Sequence, residues 1–169
     1  TDDTPIPGDD HRVGIEVRVA LSTLLGHDEH PDEIPGLGPI PASHARAVVA
    51  EQRRAEWRFA ITDDTGRLLF GGVTRRRPTG LAATGPRGGI VELHLPAALL
   101  TALTNSSDDA GPAVTRWADL LADIDRQYRE RDRRDLDAHP DDRQPRAALR
   151  RHTQIRDRTC VGIGCRHRP

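Results

Sequence analysis

The stretch GIVELHLPAALL, residues 89–100, decides the fold. Val91, Leu93 and Leu95 alternate with Glu92 and His94, the period-two pattern of a half-buried strand. A helix over Pro96–Leu103 follows at once, and a proline is tolerated at its first turn. The same unit stands earlier in the chain. Val13-Gly14-Ile15-Glu16-Val17-Arg18-Val19 is again a strand, and Ser22-Thr23-Leu24-Leu25 a short helical turn that Gly26 stops. Laid over one another, Glu16 meets Glu92, Val17 meets Leu93, Val19 meets Leu95 and Leu24 meets Leu100. Two such units predict two similar strands side by side in one sheet, and an α+β fold in which a small sheet of strand–helix units is flanked by helices.

Working outward, residues 1–12 read as a disordered acidic lead-in, and 13–78 as a scaffold region. Residues 26–41, GHDEHPDEIPGLGPIP, are so rich in Gly and Pro that they read as loop. Pro41 opens a helix over 42–54 with Ala45, Val48 and Val49 on one face. Residues 57–62 fit both a strand (Trp57, Phe59, Ile61) and an extension of that helix (Trp57, Ala60). Asp63-Asp64-Thr65-Gly66 is a turn, Arg67–Phe70 a short strand, and 74–88 a basic linker or exposed loop. Region 79–145 holds the second strand–helix unit, a turn at 105–112, and a long helix over 113–134 with Val114, Trp117, Leu120, Leu121, Ile124 and Tyr128 at helical spacing. A last helix over 146–158 carries Ala148, Leu149, His152 and Ile155 on one stripe and arginines on the other side.

Composition narrows the function classes. Hydrophobic residues make up 36% and charged residues 30%, so the core must be small. There is no methionine, which predicts that Thr1 is not an initiator and that the chain is a piece of something longer. There is no lysine either: all 25 basic residues are arginines, a side chain that binds phosphate bidentately and never loses its charge. The net charge of −1 hides an asymmetry. Residues 1–36 hold nine acids and two arginines, or −7; residues 146–169 hold seven arginines and one acid, or +6. A basic end predicts either a polyanionic partner or neutralisation by the acidic end. No apolar run approaches the about 20 residues needed to cross a bilayer.

The two cysteines, Cys160 and Cys165, are five positions apart in a knuckle bearing Gly162 and Gly164. Structural zinc needs four ligands and the pair supplies two, so the residues alone describe two free thiols or a chance disulfide better than a metal site. Other candidates carry less. His27-Asp28-Glu29-His30 could form only a loose cation site. Ser43 reads as a polar residue at a helix start, since it lacks an assignable general base. His152 reads as a packed residue, and Arg75-Arg76-Arg77 as a solvated loop before a phosphate contact.

The segment RAALRRHTQIRDRTCVGIGCRHRP, 146–169, resembles the entry to the HNH nuclease module in actinobacterial proteins of the 13E12 repeat family. The upstream motifs Ile15–Gly26, Gly36-Leu37-Gly38-Pro39-Ile40-Pro41 and Asp64–Leu69 resemble that family in the same order. Val161-Gly162-Ile163-Gly164 departs from the usual aromatic-Pro-Gly knuckle, and residues 79–144 intervene as in a longer variant of the family. The resemblance implies that the chain ends in the first helix and knuckle of a truncated ββα-metal module. It implies metal-dependent cutting of DNA by the parent protein, in the cytoplasm and away from any membrane. Cys160 and Cys165 would be half of a structural zinc site. Arg146, Arg150, Arg151, Arg156 and Arg158 would contact the DNA backbone. A divalent cation would work in an active site that lies outside this chain. No catalytic residue carries over, because the Asp-His pair and later Asn and Cys/His elements have no counterpart here; Asp137-Ala138-His139 precedes the cysteines at the wrong spacing. The alternative is a non-catalytic binding or scaffold module with a decayed nuclease remnant.

Overall fold

A computed structural model describes residues 14–82, 84–105, 111–131, 141 and 143–158. The acidic lead-in, most of the segment after the long helix, and both cysteines lie outside the described residues. The elements in chain order are β1 (Glu16–Ala20), α1 (Leu21–Leu25), β2 (Asp32–Ile34), β3 (Gly38–Ile40), α2 (Ala42–Glu51), β4 (Glu56–Thr62), β5 (Leu68–Thr74), β6 (Ile90–Pro96), α3 (Ala97–Asn105), α4 (Pro112–Thr115), α5 (Ala118–Arg129) and α6 (Ala147–Asp157). The class is α+β, as the strand–helix units predict. Six strands form one mixed sheet in the order β3-β2-β1-β6-β4-β5.

The two strands that open the strand–helix units do lie side by side. β1 pairs in parallel with β6, with Val17 opposite Val91 and Val19 opposite Leu93. Their spatial register is displaced by two residues from the sequence overlay, which keeps every side chain on its face because strand periodicity is two. β6 also pairs in parallel with β4, placing Trp57, Phe59 and Ile61 beside Val91, Leu93 and Leu95. These residues, with Val17 and Val19, are all at most 1% exposed and form the apolar face of the sheet. Leu21, Ala45, Val49, Leu100, Leu120, Leu121 and Ile124 cover it from α1, α2, α3 and α5. Trp117 packs on Trp57 at 6.0 Å between ring centroids, and Phe70 on Phe59 at 5.9 Å.

Two local expectations need correction, and one open reading is settled. The Gly/Pro-rich stretch contains a hairpin: β2 and β3 pair antiparallel, with Asp32 opposite Ile40 and Ile34 opposite Gly38. Three-residue strands with a proline on the edge are too short to show periodicity, and edge strands tolerate proline. Residues 57–62 are strand, because Glu56–Thr62 finds partners on both sides, β5 and β6. The long helix is interrupted at Arg116–Trp117, giving α4 and α5. The turn after β4 is as read: Asp63 Oδ1 accepts hydrogen bonds from the Thr65 amide, the Thr65 hydroxyl and the Arg67 amide at 2.9, 2.7 and 2.9 Å, and Gly66 takes the left-handed conformation at φ 83°.

Adjacent glycines on β5 let helices approach both faces of the sheet. A Cβ on Gly72 would sit 2.6 Å from Cζ of Phe59 and 3.2 Å from Oε1 of Gln127 on α5. A Cβ on Gly71 would sit 3.0 Å from Cδ1 of Ile155 on α6. α5 therefore closes on the apolar face and α6 on the other. Gly72→Ala forces a shift of the buried Phe59 ring and should destabilise the fold by about 1–3 kcal/mol, read as a lower denaturation midpoint at unchanged m-value.

Candidate functional site

The second face of the sheet is charged. Period-two alternation puts Glu16 and Arg18 of β1, Glu92 and His94 of β6, and Glu56 and Arg58 of β4 on this face, opposite the apolar stripe. At its centre the Glu92 carboxylate is 2% exposed. Its Oε1 lies 2.8 Å from His94 Nε2 and 3.6 Å from Arg18 Nε. The Arg18 guanidinium also faces Glu16 at 3.5 Å and Glu33 at 3.5 Å. A buried carboxylate is tolerated only with such partners, since desolvating an unpaired charge is very costly.

α6 lies against this face. Ile155 is 3% exposed and fills the notch over Gly71. Arg58 donates to Gln154 Oε1 at 3.3 Å. Arg151 approaches Glu56 at 3.8 Å, and Arg158 approaches Glu33 at 3.9 Å. Arg156 forms a bidentate pair with its neighbour Asp157, at 2.6 and 2.8 Å. That bond is the main reason the Asp157 carboxyl is held below its usual range. Of the five arginines expected to touch DNA, Arg151, Arg156 and Arg158 thus face carboxylates of their own chain, while Arg146 and Arg150 are exposed at the start of the helix. His152 is half-buried, and burial, then Arg156, lowers its imidazole pKa. Its stripe is narrower than expected: Ala148 is exposed and Ile155 alone is fully buried.

The other candidates separate. Asp28 is absorbed by its own loop. It accepts from Thr23 Oγ1 at 2.9 Å and from the His30 amide at 3.1 Å, while Glu29 is gripped by Arg46 at 2.7 and 2.8 Å. Hydrogen bonds from Ser22, then Thr23 and His30, outweigh burial and hold the Asp28 carboxyl at about 2. Among the described residues no group of three His, Cys, Asp or Glu side chains converges on a place for a metal ion. Ser43 and His44 are both exposed on α2. No described helix is long and apolar enough to cross a membrane.

The basic loop after β5 differs most from expectation. Arg77 is half-buried. Its guanidinium stands 5.4 Å from the centre of the Trp57 ring. It donates to the carbonyls of Arg53 (3.2 Å), Thr74 (3.0 Å), Arg76 (2.9 Å) and Ala55 (2.8 Å). Burial lowers its pKa. The loop beyond it is also docked, with the Thr79 amide on the Arg116 carbonyl and the Ala82 amide on the Ala50 carbonyl. Gln52 is a second residue that the sequence did not single out. It is 1% exposed, donates to the Ile15 carbonyl at 2.7 Å and accepts from the Trp57 indole at 3.0 Å, tying the start of β1 to that of β4.

Comparison of the chain with known protein families, with curated proteins and with solved structures gives no match. Chemically, the charged face is a set of sheet glutamates that receives arginines from within the chain and from α6.

Two outcomes follow. Glu92→Ala removes the buried acceptor that His94 and Arg18 face while Glu16 and Glu33 still flank Arg18, and should cost about 1–3 kcal/mol in chemical denaturation. The lowered Asp28 pKa means that its stabilisation is present above the ordinary carboxylate value and is lost as pH falls toward about 2. Asp28→Asn should cost about 1 kcal/mol at neutral pH, after allowing for solvent screening, with the difference vanishing at the acid end of a pH–stability profile.

Proposed function

We propose that this chain is the scaffold portion of an HNH-type endonuclease. It would carry the arginine-rich entry helix and first cysteine pair of a DNA-cutting module and perform no phosphodiester hydrolysis itself. The observation that carries the reading is the seating of α6. Ile155 over Gly71, Gln154 on Arg58 and Arg151 near Glu56 hold the helix against the sheet, so the segment with Cys160 and Cys165 starts from a fixed place. A metal knuckle is useful only if its entry is positioned, because preorganisation is what lets a cation and a base act together on a phosphodiester.

In this reading Cys160 and Cys165 give two of the four ligands of a structural zinc, and the parent's remaining residues give the other two. A divalent cation in the parent's active site would supply Lewis-acid stabilisation of the leaving oxygen. Arg150, exposed in the first turn of α6, is its best-placed arginine for DNA phosphate. Reduced thiols and a DNA substrate fit the cytoplasm.

A second reading has support of its own. Arg151, Arg156 and Arg158 face carboxylates of the same chain, which suits a non-catalytic binding or scaffold module. The experiment that separates the two uses the parent polypeptide read through and beyond Pro169. It should contain one zinc per chain by atomic absorption, nick supercoiled plasmid with magnesium or manganese, and lose both properties in Cys160→Ser. A parent without zinc and without nicking overturns the nuclease reading in favour of the scaffold.

A further inference from the structure

From the arrangement around Arg77 we infer a second polyanion-binding surface, built by Arg53, Arg75 and Arg76 and fitted to a nucleic-acid backbone. It is a different surface from α6 and stands on local geometry and charge, independent of the nuclease reading. Arg53 sits in the turn between α2 and β4; Arg75 and Arg76 follow β5. The two segments are far apart in sequence, yet Arg77 binds them together. One guanidinium donates to Arg53 and Ala55 on one segment and to Thr74 and Arg76 on the other. The Arg76 amide is fixed as well, donating to Thr74 Oγ1 at 3.0 Å, and that hydroxyl donates to Asp123 Oδ2 at 2.8 Å.

The consequence is electrostatic. Arg53, Arg75 and Arg76 are exposed, and among the described residues none has a carboxylate partner. Arg54 stands beside Arg53 and is exposed too. Two of the nearby acids are committed elsewhere. Glu56 faces Arg58 and Arg151, and Asp123 faces Arg126, Thr74 and Gln127; exposed Glu51 closes α2. This is the reverse of α6, whose last three arginines already face acids. Exposed guanidinium groups on an anchored backbone can take phosphate without giving up a carboxylate, and clustering like charges costs stability unless an anion is bound. The spread over two loops suits successive phosphates along a backbone.

The test uses the chain as it stands and a fluorescein-labelled duplex of about 20 base pairs, followed by anisotropy from about 50 to 200 mM salt, a range over which phosphate contacts weaken steeply. The triple variant Arg53→Gln, Arg75→Gln, Arg76→Gln should bind about 10-fold or more weakly and flatten the log Kd–log salt slope by about 2–3, close to one per lost phosphate contact. The control triple Arg151→Gln, Arg156→Gln, Arg158→Gln should change Kd by less than about 2-fold, because those groups are already engaged. Arg77→Lys keeps the charge but loses the four-way stitch; it should weaken binding while leaving the slope unchanged. Thermal melts by circular dichroism check that each variant is folded, and the exposed triple should melt as the unaltered chain does. The inference is overturned if the unaltered chain does not bind duplex DNA, if the patch triple binds as it does, or if the control triple loses as much. Binding to anionic phosphatidylserine vesicles in place of DNA overturns it too.

Discussion

Everything in this fold depends on β6 being held on both sides. It arrives late in the chain and occupies the place between β1 and β4, pairing in parallel with each. A strand so placed has backbone partners along both edges and must bury one complete side-chain row. Val91, Leu93 and Leu95 do this at 0% exposure. The two halves of the sheet, β3-β2-β1 and β4-β5, join only through it. Contacts of such sequence separation are costly in chain entropy to close.

The same strand imposes the polar problem. Alternation that buries Val91, Leu93 and Leu95 must deliver Glu92 and His94 to the opposite face, where Glu92 is 2% exposed. The solution is local: His94 on the same strand and Arg18 on the next accept the charge. Arg18 in turn draws in Glu16 and Glu33, so negative charge outweighs positive around one guanidinium. An arginine-bearing helix is a fitting cover for such a face, and α6 is that helix. The cover is selective. It is fastened by one apolar contact, Ile155 over Gly71, while its ion pairs at 3.8 and 3.9 Å are loose and contribute little individually.

What was legible in the sequence follows from which signals are local. The strands of the strand–helix units were legible because alternation over five or more residues is a strong pattern, and their juxtaposition was legible because the patterns match. The strand Glu56–Thr62 stayed ambiguous: Trp57, Ala60 and Ile61 satisfy two periods at once, and only pairing with both β5 and β6 decides between them. β2 and β3 were hidden by their length and by Pro39. Gln52, and the anchoring role of Arg77, were invisible for a different reason. Each acts through hydrogen bonds to backbone carbonyls of distant segments, and carbonyl positions leave no mark on residue type. The nuclease resemblance turns on Cys160 and Cys165, which lie outside the described residues, so its metal half stays a matter of sequence.

Charge asymmetry offered two explanations for the basic end, a partner or the acidic beginning. Arg158 near Glu33 is a contact of the second kind, joining a tail arginine to an acid of the first 36 residues. Each arginine so engaged is one fewer for phosphate, since a guanidinium held by a carboxylate must give it up to bind an anion. The count of arginines along a helix is therefore a poor guide to where a polyanion sits. Partnering decides, and partnering is set by the opposite row of the sheet. Where that row is glutamate, as beneath α6, arginine faces an acid of its own chain. Where the neighbouring groups are backbone carbonyls taken by the half-buried Arg77, Arg53, Arg75 and Arg76 are exposed without a carboxylate partner among the described residues.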